Sequence, residues 1–114
     1  GGMAECIFCS IVAGDIPAQI VAETEHTLAF RDISPKAPTH ILVIPRNHET
    51  DIAALAAAAP EVAAELLMQT RTIATAEGHS DYRLIFNSGA DAGQTVFHAH
   101  GHVLAGGPIA LGFE

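Results

Sequence analysis

A chain of 114 residues with 13 acidic against 5 basic side chains carries a formal charge of −8. That balance excludes a phosphate-tracking surface for DNA or RNA and leaves a single nucleotide within reach of local donors. Its 49% hydrophobic content supplies one core, so one domain is expected over residues 3–114, small enough to favour pairing with a second copy. 

No apolar run reaches the roughly 18 to 20 residues of a membrane span, and Gly1 to Glu5 shows no basic-then-apolar leader. The expected compartment is therefore the cytoplasm, without a membrane partner, and Gly1 and Gly2 ahead of Met3 read as a tag remnant. In "CIFCSIVAGDIP", Ile7, Phe8, Ile11 and Val12 repeat at near-helical spacing until Gly14 and Pro17, which predicts a short helix. "QIVAE" and "TLAFRDI", separated by the polar residues 24–26, predict a hairpin. After the proline-bearing loop "SPKAPTH", the continuous run "ILVIP" predicts a central strand covered on both faces. From Asp51 to Gly78 the helix formers Ala, Glu and Leu dominate, and Pro60, tolerated only in a first turn, predicts one long helix starting there. "YRLIFN" and "VFHAHGHVLAG" predict two further strands around a glycine-rich loop. The fold class is α+β, a mostly antiparallel sheet with one long and one short helix.

Within "FHAHGHVLAG", His98, His100 and His102 recur at a spacing of two. On a strand that spacing aims all three rings one way and Ala99, Gly101 and Val103 the other. Three adjacent rings are costly to desolvate unless they bind a metal ion or an anion. With a reference pKa of about 6.5, imidazole serves equally as ligand, nucleophile, base or acid. Upstream, "NSGADAGQT" offers Gly89 and Gly93 for close backbone approach and the side-chain donors Asn87, Gln94 and Thr95, a loop suited to holding a phosphate, although it lacks the Gly-Lys-Ser/Thr ending of a P-loop.

The only cysteines, Cys6 and Cys9, form a Cys-x-x-Cys. No βαβ pattern supports a thioredoxin-like redox pair, so half of a zinc site is the favoured reading. A Cys₂His₂ site needs two more ligands, and spacing does not choose among seven histidines. His26 and His79 sit in polar turn contexts expected to be solvated.

The row "HAHGHVL" resembles the signature of the histidine triad (HIT) family. The segment "FRDISPKAPTHILVIPRNH", the loop from Asn87 to Thr95 and the strand order resemble its Hint-type branch, from Cys6 to Gly107. The resemblance implies a nucleotidyl hydrolase or transferase acting on purine nucleoside phosphoramidates or related nucleoside monophosphate conjugates. In that reading His100 attacks the α-phosphorus and forms a nucleotidyl-histidine, while His102 contacts the phosphate oxygens and, with His40, helps protonate the leaving group. By the same resemblance Ile7, Phe30 and Ile33 wall the base, Asp32 accepts the ribose hydroxyls, and Asn87, Gly93, Gln94 and Thr95 hold the phosphate. Members with an amino-terminal Cys-x-x-Cys imply a structural zinc on Cys6, Cys9, His48 and His98, and the branch implies a homodimer with a continuous sheet. Asp32 also suits a local turn, and Phe30 and Ile33 an ordinary core.

Two features depart from the pattern. Ala99 and Gly101 are smaller than the residues common between the triad histidines, which implies closer packing on that strand's back face. The tail "GGPIALGFE" lacks the branch's aromatic ending, which bears on substrate choice. Two other functions fit the same residues: a zinc hydrolase using His98, His100 and His102 as metal ligands, and a nucleotide-binding module without turnover.

Overall fold

The computed structural model describes residues 6–109; Gly1 to Glu5 and residues 110–114, including most of the tail on which the substrate-choice expectation rests, lie outside them. Helix α1 (Ile7–Val12) starts at Cys6, whose sulfur accepts the Cys9 amide, and ends where Gly14 takes a φ of +81°. The predicted hairpin forms as β1 (Ile20–Glu23) and β2 (Thr27–Arg31). Strand β3 (Thr39–Pro45) is buried along its whole length.

The helical region divides in a way the sequence reading did not include. Asp51 caps Ala54 and opens a further short helix, α2 (Ile52–Ala58), before α3 (Pro60–Ala76) begins at the predicted proline. The break falls at Ala59, with φ −149° and ψ 73°, because the ring of Pro60 disfavours helical geometry in the residue before it. The chain therefore has three α-helices among its described residues, one more than expected.

Strands β4 (Arg83–Ile85) and β5 (Gly101–Ala105) complete an antiparallel sheet in the order β1-β2-β3-β5-β4, with β3 in the middle as predicted. Alternation along the strands sends Ala29, Ile41, Val43 and Val103 to one face, where Leu55 of α2 and Val62, Leu66 and Ile73 of α3 cover them. Leu28, Phe30, Leu42 and Ile44 point to the other face, where α1 lays Phe8 against them. Ala99 is buried in the α3-side core. A Cβ on Gly101 would stand 2.8 Å from Phe86, so a larger residue there has no room.

One expectation about the histidine row is corrected. Only His102 lies in the ladder, because β5 starts at Gly101. Before that point the backbone leaves β3, and the Ala99 amide donates to the carbonyl of Glu49 instead. The rings remain neighbours without a continuous strand beneath them: His100 and His102 have centroids 5.1 Å apart, and Phe8 packs edge-on against both His98 and His100.

Candidate functional site

Register places the site on the α1 face. His102 lies opposite Leu42 on one side and Ile85 on the other, and His40, two residues before Leu42 on β3, is its diagonal neighbour. His40 Nε2 stands 3.0 Å from His102 Nδ1 and 3.4 Å from Asp32 Oδ2. The Asp32 Oδ1 also accepts the Ser34 amide at 2.7 Å, so the turn role considered for this residue is real and leaves its other oxygen facing the histidines.

The second nitrogen of each ring meets a backbone group that decides where the proton sits, since a carbonyl only accepts and an amide only donates. His98 donates from Nε2 to the Pro45 carbonyl at 2.8 Å, leaving the Nδ1 lone pair toward the cysteines. His100 donates from Nδ1 to the His98 carbonyl at 2.7 Å, leaving the lone pair on Nε2. His40 Nδ1 accepts the Lys36 amide at 3.0 Å, so its proton is on Nε2 and is directed at His102 Nδ1 and Asp32. His102, accepting at Nδ1, carries its own proton on Nε2. The row thus ends in three different arrangements: an Nδ1 lone pair turned to the cysteines at His98, an Nε2 lone pair at His100 and an Nε2 proton at His102.

Burial keeps these rings neutral. It lowers the pKa of His98, His100 and His40, and it takes His102 down to about 4, with the charges of His100 and His40 adding to the effect. Beside His102 and His40 opens a groove of about 290 Å³, whose polar wall adds Asp32, Asn87 and Lys36. Ile85 and Leu104 form its apolar side.

Among the described residues, two sets of donor atoms come within reach of a single ion: Cys6, Cys9, His48 and His98, and Asp32, His40 and His102. In the first set, Nδ1 of His98 is 3.4 Å from Cys6 Sγ and 3.5 Å from Cys9 Sγ, and Nδ1 of His48 is 3.3 Å from Cys9 Sγ. A tetrahedral zinc with ordinary bond lengths has S···N edges of about 3.6 Å, so two sulfurs and two ring nitrogens are spaced to hold one. The Pro45 carbonyl behind His98 supplies the outer support such a ligand needs. Without an ion, burial and the adjacent Cys6 push the Cys9 thiol up to about 11. The second set does not fit a cation: His40 Nε2 carries a proton and has no lone pair to give. No set joins His98, His100 and His102, so the three-histidine metal site has no counterpart in the described geometry.

The remaining residues singled out from the sequence are distributed unevenly. Phe30 is buried against Phe8, Ile33 is 98% exposed, and Ile7 is half-exposed while its neighbour Phe8 turns inward. Phe8, flanked by the cysteines, was the site-facing residue that the sequence reading passed over, although its place in the apolar helical repeat marked it. In the 87–95 loop, Asn87 lines the groove, Thr95 and Gly93 are exposed, and Gly93 takes a φ of +99° after a 3₁₀ turn (Ala90–Ala92). The buried Gln94 is fully engaged, accepting from Gly89 and donating to the carbonyls of Thr50 and Val96. His26 is exposed as expected and also bonds Glu65, whereas His79, expected to be solvated, is half-buried against the Thr39 hydroxyl.

The comparisons agree with this architecture. The HIT domain model matches residues 13–109. The chain is 43% identical to an uncharacterized HIT-like protein of Synechocystis sp. over 93% of its own length and 94% of the relative's. Protein HitA of Neisseria gonorrhoeae is 41% identical, over 94% of this chain and all of that one. Among solved structures, a HIT family hydrolase from Legionella pneumophila superposes with a TM-score of 0.88 at 43% identity, covering 94% of this chain and 97% of the other. A histidine triad nucleotide-binding protein from Candida albicans gives a TM-score of 0.73 at 29% identity, covering 87% and 73%. On the family model, these relatives and the shared five-stranded fold, the chain belongs to the HIT domain family.

Proposed function

We propose that the protein is a nucleotidyl hydrolase or transferase of the Hint-type branch, cleaving purine nucleoside phosphoramidates or related nucleoside monophosphate conjugates through a nucleotide bound covalently to His100. The observation that carries this reading is the hydrogen bond from His100 Nδ1 to the His98 carbonyl, which leaves Nε2 with a lone pair on a ring whose centroid is 5.1 Å from that of His102. A neutral, oriented imidazole is a competent nucleophile near pH 7. Nε2 forms a bond to phosphorus as the phosphorus–nitrogen bond of the substrate breaks. The departing amine takes the proton delivered by His102. Water then attacks phosphorus, returns a proton to His102 and releases the nucleoside monophosphate and free His100.

His102 is uncharged in the free protein above a pH of about 4. A phosphate anion alongside favours the charged form against the burial that chiefly lowers it, so the ring gains its second proton with the substrate and has one to give. His40, held by the Lys36 amide, keeps His102 in the donating tautomer. Phe30, Ile33 and Ile7 would flank the base and Asp32 would meet the ribose. The phosphate falls to Asn87 and Thr95, with Gly93 permitting the loop's curve and Gln94 bracing it from within. A zinc ion on Cys6, Cys9, His48 and His98 would be a closed structural site, tying α1 to the chain before β5. Pairing of two copies and a cytoplasmic site of action complete the reading.

Adenosine 5′-phosphoramidate tests it. Wild type releases AMP, His100→Ala loses roughly 10³-fold or more, and mass spectrometry of the quenched wild type finds adenylate on His100. Equal release by both proteins removes His100 from the chemistry. Binding in calorimetry without release by wild type makes the chain a binding module.

A further inference from the structure

Lys36 is the only lysine in the chain, and it lines the groove beside His40 and His102. The other cations are directed elsewhere. Arg31 pairs with Glu77, Arg46 pairs with Glu23, Arg83 reaches the Ile109 carbonyl, and Arg71 belongs to α3 on the opposite side of the sheet. Among the described residues no carboxylate forms an ion pair with Lys36. Its ammonium is anchored on the Ser34 carbonyl at 2.8 Å, which engages one of three donors and leaves two for a ligand.

The place of this charge matters as much as its being single. His100 does not line the groove, whereas His102 and His40 do. Lys36 therefore shares its groove with His40 and His102 and not with the ring that would attack phosphorus. In a chain of net charge −8, a single cation placed there meets an anion that the rest of the surface repels.

We propose that Lys36 makes the groove selective for nucleotide conjugates bearing a second anionic group besides the phosphate that His100 attacks. This rests on the nucleotidyl-transfer reading above. A carboxylate or phosphate on the leaving group would satisfy the ammonium, and so would a phosphate on the ribose, since Asp32 lines the same groove.

The test uses three adenosine 5′-phosphoramidates: of propylamine, of β-alanine, which adds one carboxylate on the leaving side, and of propylamine with a 3′-phosphate on the ribose. The readout is the ratio of kcat/KM for each charged substrate to that for the first. In wild type one ratio is about 5-fold above unity, the size of one charge-assisted contact on a half-open surface, and it shrinks with added salt. Lys36→Gln brings that ratio to unity and Lys36→Arg keeps it. The ratio that responds names the source of the anion. Ratios in wild type and Lys36→Gln that are the same for both charged substrates overturn the proposal, as does an equal loss on all three, which assigns the ammonium to the reacting phosphate. Failure of wild type to cleave any of the three overturns the nucleotidyl-transfer reading itself.

Discussion

His98 and His102 lie four residues apart on one short stretch, and they end in opposite surroundings. His98 is fully buried, its Nε2 proton held by the Pro45 carbonyl and its Nδ1 turned to two sulfurs. His102 is half-buried, its Nδ1 held by His40 and its other nitrogen facing a groove. Residue type and spacing are the same for both. What separates the two is the backbone or side-chain group that engages the first ring nitrogen, and thereby fixes which atom is left for chemistry. The fold supplies that partner by bending the chain off the ladder before Gly101, so that one end of the row meets α1 and the other meets β3.

The sharpest way to break this comparison is to delete each ring in turn. His102→Ala should lower turnover of the phosphoramidate by roughly 10² to 10⁴ while the melting temperature stays close to wild type. His98→Ala removes a ring with no exposed surface and should cost about 2 to 4 kcal/mol of stability, read from denaturant unfolding. If His98→Ala keeps full stability, or His102→Ala keeps full activity, the division of labour along the row is wrong.

Metal removal separates the two ends without mutation. Elemental analysis of protein purified without chelator should find one zinc per chain, and stripping it should lower the melting temperature, since an ion held at a thousand times its dissociation constant contributes about 4 kcal/mol. Turnover measured well below that temperature should fall far less than the 10²-fold expected for His102→Ala. Activity that vanishes with the metal while the protein remains folded would instead join the two ends into one catalytic site.

Much of this arrangement was legible in the residues, and the omissions share a cause. Strands and the long helix followed from periodicity and Pro60, and the Cys-x-x-Cys and the histidine spacing marked the two clusters. Helix α2 escaped because an alanine-rich segment has no apolar stripe to reveal it, although Asp51 is an N-cap that could have been read. The engagement of Gln94 by the Gly89 amide and the Thr50 and Val96 carbonyls is invisible beforehand because these are backbone groups that no sequence displays. The tautomers stayed open for the same reason. Side-chain chemistry is written in the sequence, whereas the main-chain groups that direct it appear only once the chain folds, across distant segments for Pro45 and His98 and within one turn for Lys36 and His40.

The smallest expected effect concerns pH, and a third cluster has to be subtracted before the row's own slope is visible. The buried rings all have lowered pKa values, so below about 6.5 the unfolded chain binds protons that the folded one refuses. Stability therefore falls as pH drops from 6.5 toward 4, with His102 contributing on the order of 2 kcal/mol after allowance for its solvent-facing side. On the far side of the sheet Glu65 accepts from the Thr24 hydroxyl and from both the amide and the ring of His26, which fastens the β1–β2 turn to α3. There the signs differ. His26 is raised, chiefly by its bond to Glu65, so its contribution is full below 6.5 and lost as pH rises through the raised value. Glu65 is lowered to about 2, first by Thr24 and then by His26, so its contribution is full above 4.5 and lost only in acid. Between pH 8 and 6.5 the His26 pair thus gains stability on acidification, just before the histidine row begins to lose it. Glu65→Gln should abolish the gain and leave a melting temperature that declines monotonically from pH 8 to 5, where wild type passes through a maximum near neutrality. Curves of the same shape for the two proteins would show that the exposed pair is too well screened by water to matter, and that the whole pH response belongs to the buried row.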